Sequence, residues 1–287
     1  VYEYSFNKQN WFEKSRSEHL SVRESVGLFD QTSFSKFLIY GKDALSLLNY
    51  LCVSEMDVPV GKIVYTQMLN SEAGTESDLT MVRINDDEFM AVTSPTSHNK
   101  DLYWIKNNSS EFKEVQIDDI TENYGCLSLM GPKSRDLLQS ITNEKISNDE
   151  LPFGYSIKSN ILKAECRINR ITYVGELGYE IYVPREHLND VFDLIYIEGE
   201  KHQLVLAGYH ALNSLRMEKA YLHWGHDITI EETPFEAGVG FCVNLKKTKK
   251  FLGQEKLEEK LKEGSTKRRV NFSLHDKNVL LYHNEPI

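Results

Sequence analysis

The chain has 287 residues, of which 40% are hydrophobic and 26% are charged, a balance that excludes a disordered or low-complexity protein. Thirty-three Lys and Arg residues against 43 Asp and Glu residues give a net charge of −10, so we expect no general attraction to nucleic acid. A short basic run at 246–250 is a local exception. No apolar run approaches the length that crosses a bilayer, which predicts no membrane span.

The cysteines lie far apart in the sequence, at Cys52, Cys126, Cys166 and Cys242. None belongs to a CxxC pair or to a spacing typical of a zinc site. This usage predicts buried thiols in a reducing compartment. The chain begins at Val1, so we expect a processed, trimmed or partial sequence.

The first half of the chain predicts alternating helices and strands. In order, these are a helix at 10–29 that runs into a turn, a strand at 34–40, a helix with Ala44, Leu47, Leu48 and Leu51 on one face, paired strands at 63–70 and 77–84 around a loop at 71–76, a strand at 88–94 and a helix that opens at Pro95.

The second half continues this irregular alternation. It predicts a strand at 126–130, a helix that starts at 131–132, a strand-rich segment at 151–183, helices at 185–200, 208–220 and 254–263, and a strand at 268–276. Several strands are adjacent in sequence, which favours an α+β fold with antiparallel or mixed sheets. Neither GxGxxG nor GxxxxGK[ST] occurs, so we expect no dinucleotide or P-loop site of the familiar kind.

The loop AGTESDL (73–79) contains the first candidate for chemistry. Asp78 stands where an apolar strand begins, although Asp is depleted in strands. The residue is either a turn-capping Asp or a carboxylate held rigidly at the edge of a cavity.

The segment YVGELGYEIYVP (173–184) contains the second candidate. Glu176 lies between Gly175 and Gly178, and flanking glycines allow a planar ligand to approach the backbone. A carboxylate can accept two parallel N–H bonds from such a ligand. A surface hairpin turn is the alternative interpretation.

A third candidate segment, at 207–227, combines Arg216 and Glu218 on a helix with His223 and His226. For Arg216 the common alternative is a structural salt bridge. The two histidines lack a nearby cysteine, and we predict no metal site there.

Read together, these segments resemble the folate-binding aminomethyltransferase family, which includes the T-protein of the glycine cleavage system. The matching segments follow the family's order: EHLSVRESVGLFDQTSFSKF (18–37), VYTQMLN to GTESDL (64–79), LMGPKSRDLL (129–138), VGELGYEIYVP (174–184), LNSLRMEKAY (212–221), TPFEAGVGF (233–241) and FLGQEKL (251–257). MEKAYLHWGHD and WFEKSRSEHL are more similar to the carboxy-terminal half of dimethylglycine and sarcosine dehydrogenases.

The resemblance implies tandem mixed α/β subdomains around a central folate cavity. It implies a folate-binding region at 1–250, then a linker helix and the incomplete beginning of a small β subdomain at 251–287. It also implies tetrahydrofolate-dependent transfer of a one-carbon unit from a methylamine-type donor. Asp78 matches the family's catalytic acid, whereas Glu176, Arg216 and, with weaker support, Tyr65 match the folate pocket.

Two departures from the T-protein pattern are visible: Ser77 precedes Asp78 where T-proteins have a second acid, and Val174 replaces a threonine. The sequence contains no flavin site, so a dehydrogenase-type protein would need a flavin domain or subunit elsewhere. A stand-alone aminomethyltransferase that uses a lipoyl carrier protein is one alternative. Another is a non-catalytic relative such as the regulatory subunit of pyruvate dehydrogenase phosphatase. The resemblance implies a bacterial cytoplasm or a mitochondrial matrix.

Overall fold

The computed structural model describes residues 1–5, 7–265, 267–276 and 279–281. Within these ranges the helices are α1 (Phe12–Glu24), α2 (Ala44–Leu51), α3 (His98–Asn107), α4 (Ser134–Ile141), α5 (Leu188–Gly199), α6 (Tyr209–Glu218) and α7 (Gln254–Glu263). The strands are β1 (Val26–Asp30), β2 (Ser35–Tyr40), β3 (Ile63–Leu69), β4 (Thr75–Asn85), β5 (Glu88–Thr93), β6 (Gln116–Asp119), β7 (Tyr124–Met130), β8 (Ser156–Ile161), β9 (Ala164–Asn169), β10 (Gly178–Pro184) and β11 (Leu204–Leu206).

These strands form two sheets. The first has the order β11-β1-β7-β10-β9-β8, in which β1 and β11 are parallel and the other neighbours are antiparallel. The second has the order β3-β4-β5-β2-β6 and is antiparallel throughout. The predicted α+β class with mainly antiparallel sheets is therefore confirmed.

Each sheet buries one face beneath helices. Leu137 of α4 and Ile195 of α5 belong to the core of the first sheet, and Leu48 of α2 belongs to the core of the second. The opposite faces of the two sheets meet, because Val82 and Val92 of the second sheet share a cluster with Tyr182 of the first and with other residues of both sheets. Alternation along each strand thus directs one set of side chains into the space between the sheets.

The first predicted helix is too long. Helix α1 ends at Glu24, and Val26–Asp30 form a strand of the first sheet that lies between β11 and β7. This strand is buried on both faces, so its apolar run has no period-2 alternation to distinguish it from a helix. Gly27 permits the close approach of α1, because a Cβ there would lie 2.5 Å from Val22 Cγ2.

The predicted strand at 268–276 is wrong for the described residues, which lie in no β-ladder. This segment attaches instead through Arg269, whose N–H donates to Glu236 O at 3.1 Å and whose Nε donates to Ala237 O at 2.9 Å. A β-strand requires a neighbouring strand that forms a continuous series of backbone hydrogen bonds. The contacts of Arg269 are isolated hydrogen bonds and do not form such a series. The boundary at residue 250 stays a prediction, although Leu257 of α7 packs with Val53 and Leu69.

The four cysteines are buried and form no disulfide, as the sequence predicted. No helix among the described residues is long and apolar enough to cross a membrane.

Candidate active site

The β3–β4 hairpin places Asp78 beside two polar side chains. Asp78 lies directly opposite Gln67 in the antiparallel register, and Tyr65 lies opposite Thr80. Residues that face each other, and those two positions away, project from the same side of a sheet. Tyr65, Gln67 and Asp78 therefore share the side that faces the first sheet.

Asp78 is partly exposed as a residue, but its Oδ1 atom is buried and has no hydrogen-bond partner among the described residues. The pKa of this carboxyl is raised to about 7: burial is the main cause, a hydrogen bond from the Tyr65 hydroxyl opposes the shift, and the nearby charge of Asp101 adds a smaller increase. A carboxylate that titrates near neutral pH can both accept and return a proton.

Gln67 contributes a second unpartnered polar group to the same site. The residue has no exposed surface, and neither its Oε1 nor its Nε2 has a partner among the described residues. A buried amide without partners costs free energy. The pair formed by Gln67 and Asp78 is therefore suited to a polar ligand that would supply the missing hydrogen bonds.

Tyr65 connects this polar group to an aromatic surface. Its ring stacks on Phe241 with the ring centroids 5.8 Å apart, and Phe241 is 80% exposed. Burial and the neighbouring Asp78 raise the pKa of the Tyr65 hydroxyl. Tyr65 therefore remains a neutral hydrogen-bonding group at physiological pH.

The loop before Asp78 is held against a later segment of the chain. Thr75 N–H donates to Glu232 O at 3.0 Å, and Trp224 Nε1 donates to Thr75 O at 2.8 Å. Gly74 allows this approach, because a Cβ there would lie 1.6 Å from Ile230 O. Residues 224–232 thus fix the position of the first residues of β4, the strand that contains Asp78.

Glu176 lies in the loop between β9 and β10, where Gly175 adopts φ +75°. Its Oε1 atom accepts a hydrogen bond from Arg23 Nη1 at 3.0 Å. Its other oxygen accepts none from the described residues, so it can still bind a donor from a ligand.

Arg216 lies on α6 and is buried. Its guanidinium forms an ion pair with Asp227 and donates to Tyr221 O at 3.0 Å and to Asn213 Oδ1 at 2.8 Å. The salt bridge that the sequence offered as an alternative is thus present. A ligand-binding role for Arg216 would use donors beyond these contacts.

The structure brings Tyr65 and Asp78 together, and Tyr173 lies within electrostatic range of both Asp78 and Arg216. Burial raises the pKa of the Tyr173 hydroxyl, with Arg216 opposing and Asp78 adding to the shift. Glu176 is coupled to a separate network around Arg23. Sequence reasoning missed Gln67, Tyr173 and Arg23. A buried amide within an apolar strand was the available signal for Gln67.

Two other sequence features have structural partners. Lys247, from the basic run, is half-buried and donates to Asn49 O, Cys52 O and Ser54 O at 2.7–2.9 Å. The His223 and His226 rings are 4.3 Å apart, but the described residues contain no group of three or more side chains arranged as metal ligands.

The family model described as the GCVT N-terminal domain matches residues 2–247. The chain belongs to this family. The chain is 35% identical to 4-methylaminobutanoate oxidase (formaldehyde-forming) of Paenarthrobacter nicotinovorans, over 100% of the chain and 35% of that protein. It is 34% identical to human mitochondrial sarcosine dehydrogenase, over 96% of the chain and 32% of that protein. The chain thus spans about a third of the length of these relatives.

An aminomethyltransferase from Caldanaerobacter subterraneus subsp. tengcongensis is 31% identical, over 92% of the chain and 70% of that protein. Among solved structures, the glycine cleavage system aminomethyltransferase T of Bartonella henselae matches with a TM-score of 0.79 at 24% identity, over 92% of the chain and 72% of that chain. The predicted fold and the predicted similarity to sarcosine dehydrogenases and aminomethyltransferases are confirmed.

Proposed function

We propose that this chain transfers a one-carbon unit to tetrahydrofolate from an oxidised N-methyl or aminomethyl donor, as the folate half of a dimethylglycine or sarcosine dehydrogenase does. The observation that carries the proposal is the buried, unpartnered Oδ1 of Asp78 beside the unpartnered amide of Gln67. Membership of the GCVT family supports the transferase class.

The residues present fit a reduced folate. Its pterin ring carries both hydrogen-bond donors and acceptors. These could pair with the Gln67 amide and with Asp78 Oδ1, which have no hydrogen-bond partners among the described residues. The free oxygen of Glu176 would hold the pterin edge, while Arg216 and Tyr65 would line the pocket. When bound, tetrahydrofolate supplies the nitrogen nucleophiles that accept the one-carbon unit.

Asp78 has two roles in this proposal. As a carboxylate it stabilises the positive charge of an iminium-type donor, because a fixed anion in a poorly solvated site acts strongly on developing charge. It also accepts the proton released as the new carbon–nitrogen bond forms and returns it to the donor nitrogen, so that the donor leaves as an amine when its own bond to the transferred carbon breaks. A pKa of about 7 suits a group that alternates between the two protonation states.

Replacement of Asp78 by Asn tests this assignment. We expect Asp78→Asn to lower kcat by at least about 10²-fold, at the lower end of general acid–base effects, and to leave folate affinity within about threefold. The wild-type rate should rise with pH through about 7, following ionisation of Asp78, and the variant should lose this dependence. Asp193→Asn, on an exposed position of α5, is the matched control. Full turnover in Asp78→Asn would remove Asp78 from the mechanism.

On this dehydrogenase-type assignment, we propose that a flavin domain or a flavin subunit generates the oxidised donor. The similarity to the sarcosine dehydrogenase supports that arrangement. A stand-alone aminomethyltransferase that uses a lipoyl carrier is the second candidate, favoured by the 70% coverage of the Caldanaerobacter protein. Supply of an aminomethylated lipoyl carrier protein and of an N-methyl donor with its flavoenzyme, in separate assays, distinguishes the two.

A further inference from the structure

Arg23, at the end of α1, connects two parts of the proposed folate site. Its Nη1 atom donates to Glu176 Oε1 at 3.0 Å and to Val174 O at 2.5 Å. Its Nη2 atom donates to Glu218 Oε2 at 2.9 Å and to Leu215 O at 3.1 Å. One planar guanidinium therefore fixes a carboxylate and a backbone carbonyl on each of two elements.

One of these elements carries Glu176, assigned above to the pterin edge, and the other carries Arg216, assigned above to the lining of the pocket. Val174 and Glu176 belong to the loop before β10, and Leu215 immediately precedes Arg216 on α6. Arg23 itself is mostly buried, with 17% of its side chain exposed. It binds both elements from the α1 side and leaves the second oxygen of Glu176 unoccupied.

Arg23 is the cation that two carboxylates of this cluster share. Glu176 and Glu218 both bind its guanidinium, and His19 Nε2 also lies 3.3 Å from Glu218 Oε2, so removal of Arg23 would leave Glu176 without this charged partner. The fork geometry of Arg allows four donations in one plane, which a lysine ammonium cannot reproduce. Gly175 adopts φ +75° and allows this loop to turn tightly. The hydrogen bond from Arg23 to Val174 O helps to hold the backbone of this turn in place.

We propose that Arg23 is a positioning residue for folate: it does not touch the ligand but sets Glu176 relative to Arg216. This inference rests on the proposed function, because it assumes that Glu176 binds the pterin. Misplacement of a binding group by about 1 Å is costly in a preorganised site, so the effect of Arg23 should be expressed in folate affinity and not in the chemical step.

The test is calorimetric titration with a stable reduced folate, combined with a double-mutant cycle. We expect Arg23→Gln to raise Kd about tenfold in the otherwise native chain and less than about twofold in the Glu176→Gln background. At saturating folate, kcat should stay within about twofold of the native value. Arg23→Lys should restore part of the affinity. Arg185→Gln, which removes an exposed arginine paired with Glu122, is the control and should leave Kd unchanged.

An equal rise in Kd in both backgrounds, or an unchanged Kd in Arg23→Gln, would overturn the inference. A parallel loss of kcat and affinity would assign Arg23 to general stability instead. If Arg23→Gln does not fold, the rise in Kd caused by Arg23→Lys is compared between the native and the Glu176→Gln backgrounds in the same way.

The outcome for Glu176→Gln alone separates the two proposals. An unchanged Kd in that variant would contradict the pterin-binding role of Glu176. A raised Kd there, with a native Kd in Arg23→Gln, would contradict only the role of Arg23.

Discussion

Asp78 shows at the scale of one residue how burial of a carboxyl works against the stability of the fold. Its carboxyl is placed where desolvation disfavours the charged form, and one oxygen has no partner among the described residues. A residue selected for stability alone would not leave that cost uncompensated. The sequence could identify Asp78 as unusual, because Asp is depleted in strands, but it could not reveal the burial of Oδ1.

The raised pKa gives a prediction about stability and pH. In the unfolded chain Asp78 ionises near its ordinary value, whereas in the folded chain it stays protonated up to about pH 7. The folded state therefore binds more protons between about pH 4 and pH 7, and its stability falls as the pH rises through this interval. Asp78→Asn removes the ionisable group and with it this pH-dependent loss of stability. We expect the variant to exceed the native chain in free energy of unfolding by about 1–3 kcal/mol at pH 8, a range reduced from the full shift because the residue is partly open to solvent.

Urea denaturation at pH 4 and at pH 8 measures this difference. At pH 4 the two proteins should differ by less than about 0.5 kcal/mol, because Asp78 is then neutral in the folded state. Asp193→Asn should show no pH-dependent gain. An Asp78→Asn variant that is less stable than the native chain at pH 8 would show that the carboxylate is stabilised in the fold.

The β3–β4 hairpin shows what the sequence predicts at the scale of elements. The two strands and the intervening loop were predicted within a few residues, because apolar alternation and the turn-rich SEAGTE segment mark them. The register was not predictable, because it depends on the partner strand and on a bulge between Met68 and Leu69. The register places Gln67 opposite Asp78. The sequence alone therefore could not predict that Gln67 belongs to the candidate site.

Gly74 lies where the β3–β4 loop packs against residues 224–232, and its replacement tests whether this contact positions β4. A methyl group at this position would meet Ile230 O at 1.6 Å, so the loop and residues 224–232 would have to separate. We expect Gly74→Ala to cost about 1–3 kcal/mol of unfolding free energy, to displace Trp224 from Thr75 and to reduce turnover through the resulting shift of Asp78. Thermal unfolding and steady-state kinetics measure both effects.

Gly208→Ala is the matched control for this substitution, because a Cβ at Gly208 would meet nothing nearer than Glu18 Oε2 at 3.7 Å. It should change stability by less than about 0.5 kcal/mol. Native stability and turnover in Gly74→Ala would mean that the loop tolerates displacement and does not set the position of Asp78.

The whole molecule places its candidate site where two sheets face each other. Short apolar segments predicted most strands and helices, and the ordered motifs predicted the family and its fold. Sequence could not predict that Tyr173 lies within electrostatic range of both Asp78 and Arg216, because the three residues belong to segments that are far apart in the chain. The error at Val26–Asp30 has a related cause, since burial on both faces erases the strand period.

The central claim is that the chain binds a reduced folate through Glu176. Calorimetric titration of the purified protein with tetrahydrofolate or a stable reduced analogue tests it directly. We predict saturable one-site binding whose Kd rises about tenfold or more in Glu176→Ala, because removal of a charged hydrogen-bond partner costs about 1.5–3 kcal/mol. Glu186→Ala, at an exposed position, should retain native affinity. No saturable binding, or the same Kd in Glu176→Ala as in the native chain, would contradict the claim.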